Sequence, residues 1–388
     1  MLSAFYFVIL HLKNKNTYKA MTRRIIATVA LALLMANAHA QLKEWFQNVK
    51  LSGYGMVQYQ GSDKYKDVTD AQGNLVGVAK DHDNGFNLRL VRLALEGRAH
   101  EDFYWKAQMQ INGNTYDPDK AKTDIRLVDL FGEWQKYEFF RVKAGQFKRP
   151  FTFENPMHPI TQGFMSYSQN ITALAGFSDR TGEQGSNGRD IGLQVQGDVL
   201  KIDGRNWLHY QVGVFNGEGI NQKDKDNRKD IIGGLWVMPV EGLRIGAFGW
   251  TGSRYMEITN VTGTKDTRSV SKNRYALSAE YAMNDWTFRS EYIHSQGFGK
   301  DMKKGDKADG IYALCIAPVI KKKLHVKARY DLYRAQKDWV TSKTYYEVGA
   351  DYLFTKNLQL NVEYARVNNR TLAKHNYNMV DVELDFRF

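Results

Sequence analysis

Sixteen segments of alternating apolar and polar residues run through this chain, and after the second one the connections between them alternate strictly between short and long. The segments cover residues 49–60, 85–98, 103–112, 123–135, 139–147, 188–200, 206–216 and 229–238, then 243–252, 273–283, 286–296, 309–318, 323–334, 344–354, 358–367 and 377–388. The short connections are 99–102, 136–138, 201–205, 239–242, 284–285, 319–322 and 355–357. The long ones are 61–84, 113–122, 148–187, 217–228, 253–272, 297–308, 335–343 and 368–376. Successive antiparallel strands with trimmed turns at one end and elaborate loops at the other describe a sheet with two unlike sides. A soluble sandwich gives no reason for that asymmetry. A barrel spanning a membrane does, with short periplasmic turns and longer outer loops. The expected fold class is therefore all-β: a transmembrane antiparallel β-barrel of sixteen strands.

Strand geometry says which side chains meet lipid, because successive residues point to opposite faces. In 103–112, Phe103, Trp105, Ala107, Met109 and Ile111 oppose Tyr104, Lys106, Gln108, Gln110 and Asn112. In the last segment Val380, Val382, Leu384, Phe386 and Phe388 oppose Met379, Asp381, Glu383, Asp385 and Arg387. The 85–98 segment breaks phase, since Phe86 and Leu88 differ in parity from Leu93 and Leu95; a one-residue bulge near Leu90–Val91 restores one apolar face and puts Arg89 and Arg92 together on the polar one. The 123–135 segment has a similar shift, and 229–252 is apolar on both faces. Tyr59, Trp105, Trp134, Tyr137, Trp207, Trp286, Tyr352 and Tyr377 stand near strand ends, where aromatic girdles form.

The N-terminal forty residues read as a signal peptide. They hold five basic residues and no acid, an apolar run from Ile25 to Ala36 and an Ala38-His39-Ala40 cleavage site. The run is too short to span a bilayer, and Met21 is the expected true start, with a genuine long leader as the alternative. Residues 41–388 then form one barrel domain, whose 49 basic residues face 42 acidic ones once those five are taken from the total of 54. One cysteine, Cys315, excludes an intrachain disulfide framework. A mean hydropathy of −0.51 beside 22 Tyr, 20 Phe and 8 Trp suits strands that are polar at every second residue. The nine histidines are scattered, and the 224–235 run lacks the glycine and terminal glutamate of a calcium loop. No catalytic group, metal or cofactor is expected. Nucleic acid is not an expected partner, because the basic residues follow strand parity rather than forming a binding motif.

The 148–187 connection is far longer than the others, and its Phe, Met and Pro content suits packing against an inner wall. It is expected to fold inward as a third extracellular loop and narrow the lumen; an external cap is the alternative. Its entry, Gly145-Gln146-Phe147-Lys148-Arg149-Pro150-Phe151, is followed by Glu154-Asn155 and by Phe164-Met165-Ser166-Tyr167-Ser168. With Gly85 to Arg92, the Gln211 to Gly217 run and the terminal Phe388, these features resemble the phosphate-selective porins O and P from about residue 49 onward. The resemblance implies a trimeric, sixteen-stranded outer-membrane channel for small hydrophilic solutes, constricted by its third loop. It also implies anion contacts at Arg89, Arg92, Lys148 and Arg149, with Arg180 late in the loop. Parity adds Lys106, Arg141 and Lys143 to the lumen-facing cations. Lumen-facing acids nearly balance the bases, so a modest anion preference would come from the groups nearest the constriction. Expected partners are outer-membrane lipid, small anions or other small solutes, and the barrel assembly machinery through Phe388. A general non-selective pore, or a plugged structural or adhesin barrel, remains the alternative.

Overall fold

The computed structural model describes residues 47–81, 84–112, 125–177, 185–259, 265–297 and 306–388. The expected leader, residues 1–40, lies outside them. In chain order the strands are β1 (Gln47–Ser62), β2 (Tyr65–Thr69), β3 (Leu75–Lys80), β4 (Gly85–His100), β5 (Phe103–Gln110), β6 (Arg126–Tyr137) and β7 (Phe140–Lys148). A short helix, α1 (Gln169–Leu174), precedes β8 (Arg189–Ile202), β9 (Arg205–Phe215), β10 (Asp230–Val237), β11 (Leu243–Thr259) and β12 (Lys265–Met283). The chain ends with β13 (Trp286–Gly297), β14 (Asp306–Ile320), β15 (Leu324–Arg334), β16 (Ser342–Thr355), β17 (Leu358–Asn369) and β18 (Asn376–Arg387).

Sixteen of these strands form one closed antiparallel barrel, and β2 and β3 make a separate hairpin within the first long loop. All sixteen correspond to segments expected from alternation. The largest differences are at β11 and β12, which run on beyond the barrel wall as a paired ribbon from Leu243↔Tyr281 to Thr259↔Lys265. The ring shuts where β1 meets β18, in register from Tyr54↔Arg387 to Ser62↔Met379. Gly53 and Phe388 extend that ladder by exchanging backbone hydrogen bonds of 2.9 and 3.0 Å.

The barrel is built inside out relative to a soluble domain. Large apolar side chains such as Leu235, Ile245, Leu277, Val348 and Phe386 are exposed on its outer face. Arg92, Gln110, Glu291, Asp331 and Glu383 are buried on its inner one. The expected bulge in β4 falls at Arg89: Met56 pairs with Leu90 and Val57 with Leu88, so Arg89 has no partner of its own. Arg89, Leu90 and Arg92 then all lie on the buried side, while Phe86 and Leu88 face out. The second phase shift is a bulge at Val128, skipped between Gln108↔Asp129 and Met109↔Leu127. Tyr377 departs from the expected girdle, for it is buried on the inner face, where it packs with Ala365 and Val367.

At the closing seam the outer face of β1 is bare, and the rings of Phe386 and Phe388 lie across Gly55 and Gly53. A Cβ at Gly53 would collide with the Phe388 ring. Gly53→Val should therefore destabilise the closed barrel by about 1–3 kcal/mol through overpacking at the seam. Urea unfolding of the detergent-folded protein measures this, and an unchanged midpoint would show that the terminal ring does not depend on Gly53.

Candidate functional site

The chain between β7 and β8 lies inside the barrel. Its root is fixed by a fully buried ion pair, Arg149 Nη2 to Asp190 at 2.8 Å. The Arg149 guanidinium also stacks 4.9 Å from the Trp250 ring. Asn155 staples the two stems, its Nδ2 donating to the carbonyls of Arg149 at 2.8 Å and Gly188 at 3.4 Å. Gly176, at φ +88°, lets the chain pass against Arg149, and any side chain there would strike the guanidinium.

Beyond the root, Phe151 packs edge-on to Trp250 (5.5 Å) and Phe248 (6.4 Å), and Phe153 to Phe248 (5.5 Å) and Trp236 (5.6 Å). This explains why 229–252 is apolar on both faces: one face meets lipid and the other meets the loop. Three wall carboxylates then accept loop backbone N–H groups. Glu291 takes Phe153 (2.7 Å) and Glu154 (2.8 Å), Glu363 takes Met165 (2.9 Å) and Asp331 takes Gln169 (2.8 Å). Wall cations bind loop carbonyls in turn: Lys327 donates to Gly163 (3.0 Å), Arg329 to Ser166 (2.8 Å), Arg274 to Leu174 (2.6 Å) and Arg289 to Gln162. Farther along the loop, His158 packs edge-on to Tyr54 at 4.5 Å, and Ile160 joins Tyr54, Met56 and Leu90. Since β1 stands opposite β11 in the ring, these contacts carry the loop across the lumen.

The expected cations divide into two sets. Arg89 is buried against Glu383 at 3.0 Å, Arg141 pairs with Asp198 at 2.6 Å, Lys143 with Glu133 at 3.5 Å and Lys106 with Glu96 at 3.8 Å. Arg149 is 0% exposed, so it anchors the loop and cannot meet a solute, which corrects the expectation drawn for it. Arg180 lies outside the described residues. Arg92 and Lys148 differ, for neither has a carboxylate partner among the described residues. Arg92 binds Gln110 Oε1 at 3.0 Å through Nη2, and Lys148 Nζ donates to the Met157 carbonyl (2.6 Å) and the Tyr167 hydroxyl (2.8 Å). Arg126, bonded only to the Gly185 carbonyl among the described residues, joins them. His158 lies within electrostatic reach of Lys148, Arg92 and Lys106, and Arg126 within reach of Arg92, so these cations gather on one side of the loop. Sequence reading missed Arg126 because the Val128 bulge hid its parity. It counted Glu291, Asp331 and Glu363 as wall charges, with no signal that they hold the loop.

The sequence matches the profile of the Gram-negative porins over residues 27–372. No curated protein matches it. Solved structures of similar fold include a loop L8 deletion mutant of OmpT, an outer membrane protein of Vibrio cholerae. It shares 12% identity and a TM-score of 0.60, over 88% of this chain and 99% of that one. The outer membrane channel DcaP of Acinetobacter baumannii gives 11% identity and 0.58, over 88% and 97%. OmpF of Salmonella typhi, in complex with daunomycin, gives 12% identity and 0.58, over 89% and 99%. At such identities the likeness is one of fold.

Removing the Glu291 carboxylate leaves two loop N–H groups and the Tyr312 hydroxyl, bonded to it at 2.7 Å, without their acceptor. Each buried orphan costs about 1–3 kcal/mol. Glu291→Ala should accordingly speed hydrogen exchange at Phe153 and Glu154 by at least about tenfold. Unchanged exchange there would mean the aromatic packing alone holds the loop.

Proposed function

The chain belongs to the Gram-negative porin family and is an outer-membrane channel protein, and we propose that its lumen passes small hydrophilic solutes with a modest preference for anions, phosphate among them. The observation that carries this reading is the group of cations without carboxylate partners beside the loop: Arg92, Arg126 and Lys148, with Lys106 close by. Elsewhere on the wall most cations are matched by an acid. Paired charges largely cancel at a distance, whereas an unmatched group within a Debye length of about 8 Å biases passing ions. Arg92 is only 2% exposed and acts through its field; Lys106, Arg126 and Lys148 are half-buried and can touch an ion directly. Rings of charged side chains select ions in this way, and arginine forks match phosphate oxygens.

The inner loop supports a constriction in this reading, since it crosses the lumen and leaves passages along its flanks. The family match is to Gram-negative porins at large, so the narrower likeness to the phosphate-selective porins O and P rests on the motifs alone. A trimer fits the same reading, and a solved OmpT of Vibrio cholerae is described in a trimer form. The Phe388 ring, 62% exposed at the barrel seam, is available to the assembly machinery. A non-selective pore is the competing reading, favoured by the near balance of charge along the wall.

Reversal potentials across a KCl gradient decide between them. The unaltered protein should favour chloride, and Lys148→Glu combined with Arg126→Gln should lower the anion-to-cation permeability ratio roughly fivefold, the effect of about 1 kcal/mol per exposed charge. Arg141→Gln, which removes a cation already paired near one mouth, should change it little. Cation preference in the unaltered channel would sink the proposal.

A further inference from the structure

On the other flank of the loop, toward β15 to β18, the lumen holds a cavity of about 500 Å³. Gln169 and Thr172 of α1 border it on the loop side, and Asp331, Lys343, Tyr345 and Asp381 on the wall side. Most carboxylates of this wall have a cation: Glu347 has Arg329 at 2.5 Å, Glu363 has Lys327 at 2.6 Å and Glu383 has Arg89 at 3.0 Å. Asp331 and Asp381 have none among the described residues. Asp381 accepts from the side-chain amides of Gln58 at 2.9 Å and Gln60 at 2.8 Å. Asp331 is 1% exposed; its Oδ2 takes the Gln169 N–H, and its Oδ1 has no hydrogen-bond partner.

A buried carboxylate oxygen without a donor is rare in a folded chain, and here it borders a cavity open to the lumen. Lys343, on the same cavity, likewise has no carboxylate partner among the described residues; its ammonium lies 4.8 Å over the Tyr345 ring. Tyr345 stands within electrostatic reach of both Asp331 and Asp381. The cavity therefore presents unmatched groups of both signs around an aromatic face, in the volume range of small-molecule sites. A simple anion meets two carboxylates there, and a simple cation leaves the lysine unmatched.

We propose that this cavity is a station for small zwitterions, the class of free α-amino acids and short peptides. Resting on the channel reading, the proposal places the ligand ammonium against Asp331 and Asp381, its carboxylate on Lys343, and its side chain against Tyr345. An ammonium has three donors to offer and no acceptor, which matches the orphaned Asp331 oxygen. Arg329 and Glu363 border the same space but satisfy each other's neighbours, and so set its shape.

Tracer flux through proteoliposomes tests this with L-serine as probe and glycerol as a neutral reference. Serine flux should saturate with concentration while glycerol flux rises linearly. Asp381→Asn and Lys343→Gln should each raise the half-saturating serine concentration about tenfold, the loss of one charge-assisted contact. Glycerol flux within about twofold of the unaltered protein shows that each variant has folded. Neither of these side chains bonds the loop backbone, so both variants stay informative even where Asp331→Asn loosens α1. Serine flux as linear as glycerol flux, or saturation indifferent to both substitutions, would overturn the proposal. Absence of any KCl conductance would instead defeat the channel reading itself.

Discussion

The backbone of a chain that crosses hydrocarbon can leave no N–H or carbonyl without a partner, and the closed ladder is the strand solution to that requirement. Everything else in this protein follows from the junction of β1 with β18. Once the ring shuts through Tyr54↔Arg387 and the exchange between Gly53 and Phe388, alternation sends apolar side chains to lipid and polar ones inward. The interior then has too many charges for a dry core and too little width for bulk water. It resolves the difficulty with matched pairs: Arg89 with Glu383, Arg141 with Asp198, Arg189 with Asp129, Lys272 with Asp230 and Lys327 with Glu363.

The loop inside the barrel is a second, smaller core laid against that wall. Aromatic packing of Phe151 and Phe153 fixes one stretch, and Glu291, Glu363 and Asp331 fix three others by satisfying backbone donors that would otherwise be buried and unpaired. Because the loop crosses from β11 to β1, it also sorts the charges that remain. Unmatched cations lie on the β4 to β7 side and unmatched carboxylates on the β15 to β18 side. The two flanks are chemically unlike, so solutes of different charge distribution meet different surfaces within one lumen.

The barrel was readable in the sequence because its rule is local: a period of two, a turn, and a period of two again. Even the β4 bulge could be inferred, one residue from its place at Arg89, since a phase slip leaves a parity trace. The loop's destination could be guessed from its composition, but its anchors could not. Nothing in the alternation separates Glu291, which holds two loop amides, from Glu347, which holds Arg329. Arg149 illustrates the converse error. Its place in a basic run suggested a solute contact, yet Asp190, forty-one positions later, buries it. Pairing between distant positions is set by the three-dimensional ring, and one strand's pattern does not report it. The apolar inner faces of β10 and β11 were the one overlooked trace of the loop, visible in the sequence as a strand pair with no polar side.

Those same inner faces mean that the loop and its wall are not separable parts. Phe248 and Trp250 are 4% and 2% exposed only because Phe151 and Phe153 cover them. Excising the loop would not yield a wider version of the same pore. It would leave an oily stripe down one side of a wet passage, where drifting hydrophobic molecules could lodge. Nor could the loop be grafted into another barrel of sixteen strands without carrying its aromatic bed and its three carboxylates along. In evolutionary terms the two must change together, which ties the identity of the passage to residues that no solute ever touches.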